Sequence, residues 1–286
     1  MRRVTLVLLI AGVLCGCSPP ALATPFGPVA ASVDGQDISM SAYQARLQVS
    51  RARDPFAGIP EAIPTPVPKS RLEDFTIEQL IREEIIRQEA ARRGIAISDK
   101  AVQSRIDVLQ KRAGPAPFVA ALDRNGFTLD SFRAYERALL TEVALLNAMA
   151  KERIASADSE LKAGKAFGSV AAQWSDDTGT MSRNGEVGWL KPSDIPEPEL
   201  ASAVSELPTG TVSGIIRTNR GFIIATVLDR RNDQVHLAVI LVLAPAVDVF
   251  SPQGTPAWFT SFISDRESAL QREGKITVRV GSGGRQ

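Results

Sequence analysis

The chain has 286 residues, 44% hydrophobic and 23% charged, an ordinary composition for a folded soluble protein with one large or two medium domains. A formal net charge of +1 gives no electrostatic basis for binding nucleic acid. Cys15 and Cys17 are the two cysteines and His236 the one histidine. They cannot supply a disulfide framework for the folded body, a metal-ligand spacing or a Ser/His/Asp constellation, so no metal and no cofactor is expected.

Met1-Arg2-Arg3 and the apolar run Val4 to Leu14 have the charged and apolar regions of an export signal, too short to span a bilayer as a permanent helix. Leu14-Cys15-Gly16-Cys17 resembles a bacterial lipobox. Residues 1–16 are then a signal peptide, Cys17 is acylated, and residues 17–28, broken by four prolines, are a lipidated tether. Two other readings stay open: plain cleavage near Ala21-Leu22-Ala23, and a twin-arginine signal at Arg2-Arg3. Either way the protein works outside the cytoplasm. With the lipid it is anchored to a bacterial membrane, on its periplasmic or cell-surface side.

Asp34-Gly35 between Val29–Val33 and Gln36–Ser39 predicts a hairpin, and Ser39 or Ser41 caps a helix through Tyr43, Leu47 and Val49. Arg53 to Ser70, with five prolines, is a long surface loop. Apolar residues at helical spacing predict a helix from Leu72 to Arg93, closed by Gly94, and a second from Asp99 to about Arg112, capped by Ser98 and stopped by Gly114-Pro115. A short helix from Phe118 to Arg124 follows, then a long one through Phe132, Leu139, Leu146 and Met149, capped by Thr128. A separate helix spans Ser159 to Gly164.

From Phe167 the chain reads as a helix closing on Ser175-Asp176-Asp177, a loop into Gly185-Glu186-Val187-Gly188-Trp189, a short helix from Leu200 to Leu207, and the turn Thr209-Gly210. Strand Gly221 to Val227 leads through the polar turn Leu228 to Asp233 into the apolar strand Gln234 to Leu243. A helix from Ala257 to Arg272 and a strand from Lys275 to Val280 end the chain.

The stretch Phe167 to Val227, including Leu207-Pro-Thr-Gly210-Thr-Val-Ser213 and Thr218-Asn-Arg-Gly221-Phe222, resembles the parvulin-type peptidyl-prolyl isomerases. The upstream pieces VDGQDIS, LIREEIIRQEAARRGIAISD and AALDRNGFTLDSFR resemble the N-terminal domain of SurA-like and PrsA-like extracytoplasmic chaperones. The resemblance implies an α+β chain. A helical chaperone domain at residues 29–155 is completed by the C-terminal helix and strand of residues 246–286. A parvulin-like domain with a small antiparallel sheet occupies residues 156–245. The family's opening strand is missing before Phe167, and Gln234 to Leu243 resembles it, moved to the other end as a natural permutation.

Carried over residue by residue, the resemblance maps the apolar proline pocket to Ile195 and Leu200 and the Cys/Asp position to Asp177. The two histidine positions fall on Ile223 and Val239. Trp189 is a further substrate-binding candidate or, on its own chemistry, a core aromatic. Asp177 is the one candidate catalytic residue; on its own chemistry, with no histidine beside it, it reads first as a capping or turn carboxylate. His236 lies three residues before Val239, and odd spacing along a strand puts it on the opposite face; a one-residue bulge would bring it into the site instead. Both family histidines are thus lost, and the expected function is a membrane-anchored foldase and chaperone with weak or no isomerase activity, its partners unfolded or proline-containing exported polypeptides. An active peptidyl-prolyl isomerase and a non-catalytic envelope interaction lipoprotein remain as alternatives.

Overall fold

The structure, a computed structural model, describes residues 28–53, 69–247 and 254–281. The expected signal peptide, Cys17, the tether before Pro28 and most of the proline-rich loop lie outside the described residues. Strands β1 (Val29–Val33) and β2 (Gln36–Ser39) form a hairpin. Its turn residues Asp34 and Gly35 take φ of 46° and 80°, the doubly left-handed pair that matches strand twist. Ser39 Oγ accepts the Ala42 amide at 3.2 Å and starts α1 (Met40–Arg53).

Helix α2 spans Lys69–Arg92, so the expected loop is helical at both of its ends. Ser98 caps α3 (Asp99–Ala113), and Thr128 with Ser131 forms a capping box on α5 (Leu129–Lys162). Two sequence expectations change. Gly114-Pro115 does not separate a short distant helix; Pro115 is the first residue of α4 (Pro115–Arg124), a position where its missing amide costs nothing. The helix expected from Ser159 does not stand alone, because α5 runs unbroken for 34 residues, about 51 Å at helical rise. Neither glycine nor proline interrupts it, and Ala150, Ile154 and Ala157 continue its buried face.

Beyond α5 come α6 (Phe167–Trp174), β3 (Glu186–Leu190), α7 (Pro198–Glu206), β4 (Ile216–Arg217), β5 (Gly221–Arg231) and β6 (Gln234–Leu243). The antiparallel sheet has the order β3-β6-β5-β4. The strand expected to end at Val227 continues to Arg231, past a bulge between Val227 and Asp229, and the turn is only Asn232-Asp233. Leu228 to Arg231 of that extension are exposed, so the extension carries no apolar signature. Strand β6 fills the slot between β3 and β5 and is buried on both faces. Val235, Leu237, Val239 and Leu241 pack under α7, while Ile240 and Val242, with Ile224, meet α5 and α6.

The chain then returns. Helix α8 (Ala257–Arg272) buries Phe259, Ile263 and Leu270 among Ile85, Ile86, Leu145 and Leu146. Strand β7 (Ile276–Val278) pairs with β1, Ala31 opposite Val278. The helical N-terminal domain is therefore completed by the last described residues, and α5 contributes to both cores.

Candidate functional site

Alternation along β5 and β6 decides which side chains share a face. Ile223 stands opposite Leu241 and Ala225 opposite Val239, so Ile223 and Val239 point to the same side. Helix α7 lies across that side. Arg230 crosses from β5 to donate to the carbonyls of Val204 and Leu207, both at 2.6 Å, holding the C-terminal end of α7 on the sheet. Leu200 of α7 and Ile195 before it complete the cluster. Ile195, Leu200, Ile223 and Val239 are 7%, 5%, 2% and 6% exposed. They fill one apolar core and offer no proton donor or acceptor.

Asp177 is held apart from that core by its own turn. One carboxylate oxygen accepts the Gly179 amide at 3.1 Å and the other the Thr180 hydroxyl at 2.9 Å. Its neighbours do the inward work. Strand β3 pairs with β6 only as far as Ala238, and the loop Ser175 to Gly185 satisfies the remaining edge. The Val239 amide donates to the Gly185 carbonyl at 2.8 Å and the Leu241 amide to Ser175 Oγ at 3.2 Å. The Leu243 amide donates to Asp176 Oδ2 at 2.8 Å.

Trp189 and His236 are cross-strand partners, with rings stacked at 5.1 Å and 15°. They belong to the opposite face, where the Arg231 guanidinium covers Trp189 at 4.4 Å and His236 Nε2 lies 3.5 Å from Glu186. Of the six candidates, the structure brings together Ile195, Leu200, Ile223 and Val239; Asp177 and Trp189 lie elsewhere.

A cluster not singled out from sequence lies behind the sheet. Arg153 of α5 sits over Trp174 at 5.2 Å and Trp258 at 4.8 Å, and Asp176 Oδ2 accepts from Trp258 Nε1 at 2.9 Å. Burial raises the Asp176 carboxyl above its ordinary range, against the opposing pull of its Trp258 and Leu243 donors and of Arg153; burial likewise lowers Arg153. The signal available in sequence was the acid pair after Trp174, which does not say which acid turns inward.

A helical domain closed by the chain's own C-terminal segment, joined to a small antiparallel sheet with helices on both faces, defines a two-part α+β architecture whose second part is parvulin-like. The chain belongs to the SurA-like family: the SurA-like N-terminal domain profile matches residues 3–146, and the PPIC-type PPIASE domain profile matches residues 141–229. The second match ends before β6, the strand that fills the centre of the sheet.

Among curated relatives, Chaperone SurA of Chromobacterium violaceum is 27% identical, over 81% of this chain and 64% of that protein. Chaperone SurA of Pseudomonas putida is 26% identical, over 78% and 64%. The chain thus spans less than two thirds of the length of these relatives. Among solved structures, the foldase protein PrsA of Lactococcus lactis superposes with a TM-score of 0.33 at 16% identity, over 88% of this chain and 95% of that one.

Proposed function

We propose that this protein is an extracytoplasmic foldase-type chaperone that holds unfolded exported polypeptides, has weak or no prolyl isomerase activity, and is tethered to a membrane through lipid on Cys17. The observation that carries the reading is the pairing of a SurA-like domain with a parvulin-like sheet whose two histidine positions are the buried Ile223 and Val239. Rotation about an X-Pro bond faces a barrier of about 20 kcal/mol because amide resonance is lost. Acceleration requires groups that bind the twisted amide better than either planar form. A closed core of aliphatic side chains supplies no hydrogen bond to that amide. The one carboxylate at a matching position, Asp177, is already accepting from its own turn.

The test uses the purified full-length chain after the leader. It should suppress aggregation of chemically unfolded client proteins at near-stoichiometric ratios and leave the cis-to-trans relaxation of a short X-Pro peptide unaccelerated. Strong acceleration of that relaxation would favour an active isomerase instead. Binding of one protein only, with no general suppression, would favour a fixed-partner envelope lipoprotein.

A further inference from the structure

The helical domain carries an opening away from the sheet. Helices α3 and α4 and the first turn of α5 line an open cavity of about 500 Å³, its lining including Leu109, Arg112, Phe118, Leu122, Phe127 and Phe132. That volume is within the usual range for a bound small ligand or a pair of large side chains. Phe118 and Phe127 are buried and each meet Phe132 edge-on, at 5.7 Å and 5.3 Å, and the half-buried Phe132 ring leaves part of its surface for a further aromatic ring. The same Phe118, Leu122 and Phe127 wall a second cavity of about 220 Å³ on their other side. These side chains belong to a small core with Val49, Val102 and Ile106, and the two cavities border it.

Charge selects the occupant. Arg112 lies at the end of α3, is exposed, and makes no ion pair among the described residues; the same holds for its neighbour Lys111 and for Arg124 at the end of α4. Asp123 lines the other cavity, so it does not balance Arg112. Of the polar groups at the larger cavity, the Asn125 amide is spent on the Ala121 carbonyl at 2.7 Å, leaving the guanidinium as its charged group. Two copies paired across it by a two-fold axis would set like basic rims against each other.

We infer that this cavity binds the carboxyl-terminal end of an unfolded apolar polypeptide, an aromatic last side chain entering among Phe118, Phe127 and Phe132 and the α-carboxylate pairing with Arg112. The guanidinium fork matches a carboxylate in two parallel hydrogen bonds. The inference deepens the chaperone reading and rests on it, since an unfolded exported chain is the occupant, and it adds an orientation: the chain end is held on α3 and α4 while the rest stays free.

The experiment is fluorescence anisotropy on the full-length chain after the leader, with an amino-terminally labelled peptide ending in Leu-Phe, as the free acid and as the carboxamide. The acid should bind roughly tenfold tighter, the worth of one charge-assisted hydrogen-bonded pair. Arg112→Gln, an exposed substitution, should erase that difference and leave carboxamide binding as it was. Ala121→Trp, which fills the cavity, should weaken both peptides with helicity unchanged. Equal affinities for acid and carboxamide, or an acid preference that survives Arg112→Gln, overturn the inference. So does loss of peptide binding as the protein self-associates, which would make a second copy the occupant. Aggregation suppression by the unaltered chain and by Arg112→Gln keeps the two readings apart. Suppression without an acid preference sinks this inference alone, and no suppression by the unaltered chain sinks the chaperone reading itself.

Discussion

Trp258 Nε1 donates to Asp176 Oδ2 at 2.9 Å, joining residues 82 positions apart. The same carboxylate oxygen accepts from the Leu243 amide at the end of β6, and the Trp258 ring also covers Arg153 of α5 at 4.8 Å. One carboxylate therefore ties the return helix α8 to the central strand of the sheet and to the helix shared by both cores.

Asp176→Ala should cost about 3–5 kcal/mol in urea unfolding, because it strands two donors and leaves Arg153 without its counter-charge. Asp176→Asn keeps an acceptor oxygen, and removing a charge that burial disfavours compensates for losing the attraction to Arg153; the expected change is within about 1 kcal/mol. The pH dependence separates the two terms. The folded-state carboxyl is raised, chiefly by burial, so the folded protein holds this proton more tightly than the unfolded chain. This group's contribution is fully present below the unfolded value and is lost as pH rises through the folded one. Unfolding free energies across the window just above the ordinary aspartate range should decline with pH more steeply in the unaltered protein than in Asp176→Asn. Equal slopes would show that the carboxylate is not burdened by burial.

Gly185 takes φ of +83°, and a Cβ there would stand 2.6 Å from the Val239 carbonyl oxygen and 3.0 Å from Ala171 Cβ. Gly185→Ala therefore combines left-handed backbone strain with a clash against the edge of β6. A loss of about 2–4 kcal/mol is expected, read as a lower urea midpoint with an unchanged slope. Tolerance of alanine would mean that the Ser175 to Gly185 loop is not pinned to that edge.

Asp177→Ala removes acceptors from the Gly179 amide and the Thr180 hydroxyl, a loss comparable to that of a helix cap, about 1 kcal/mol. Prolyl relaxation of an X-Pro peptide should be the same with and without the substitution. An activity in the parent chain that this variant abolishes would restore Asp177 to a catalytic role.

Cys17→Ser tests the tether. The unaltered protein should fractionate with membranes and gain acyl mass, and the variant should appear in the soluble extracytoplasmic fraction. Membrane retention of the variant, with no acyl mass on the parent, would remove the lipid from the account.

Much of the fold was legible because its signals are local. Thr128 and Ser98 announce their helices, Asp34-Gly35 its turn, and the uninterrupted apolar run before Leu243 a strand buried on both sides. Strict alternation also placed His236 away from Val239, since no bulge falls within β6 between those residues. The site was legible only in part. Ile195, Leu200, Ile223 and Val239 follow from the resemblance and do converge, but nothing in their types says that they close into core. Trp189 takes its face from its pairing with His236, a register that turn and pattern signals in β3 do not encode. The Asp176 cluster depends on contacts between α5, α6 and α8, and no local spacing joins Arg153, Trp174 and Trp258.

The placement of β6 gives the sharpest expectation. In the sheet it lies between β3 and β5, with Leu241 1% exposed opposite Ile223. Ending the chain at Arg230 would leave β5 with an unpaired edge along its full length and strip both apolar faces of their central strand. The loop from Ser175 to Gly185 would lose every partner it has on β6. Between α5 and α6 there is no described strand to refill the slot, because α5 runs to Lys162 and leads through a short connection into α6. The truncated sheet should therefore fail to fold, with no cooperative transition for residues 167–230, and because Phe259, Ile263 and Leu270 leave with it, the helical core should be weakened as well. In the full chain, Leu241→Ala should cost about 2–5 kcal/mol for the cavity it leaves. Leu241→Asp should cost more, because it places an unpaired charge in a closed apolar core. Hydrogen exchange offers the decisive measurement. The amides of Ile223, Ala225, Val239 and Leu241 should exchange only through global unfolding in the parent and rapidly in Leu241→Asp. A truncated chain that keeps slow exchange at Ile223 and Ala225 would show that the sheet does not need the strand supplied from its C-terminal side.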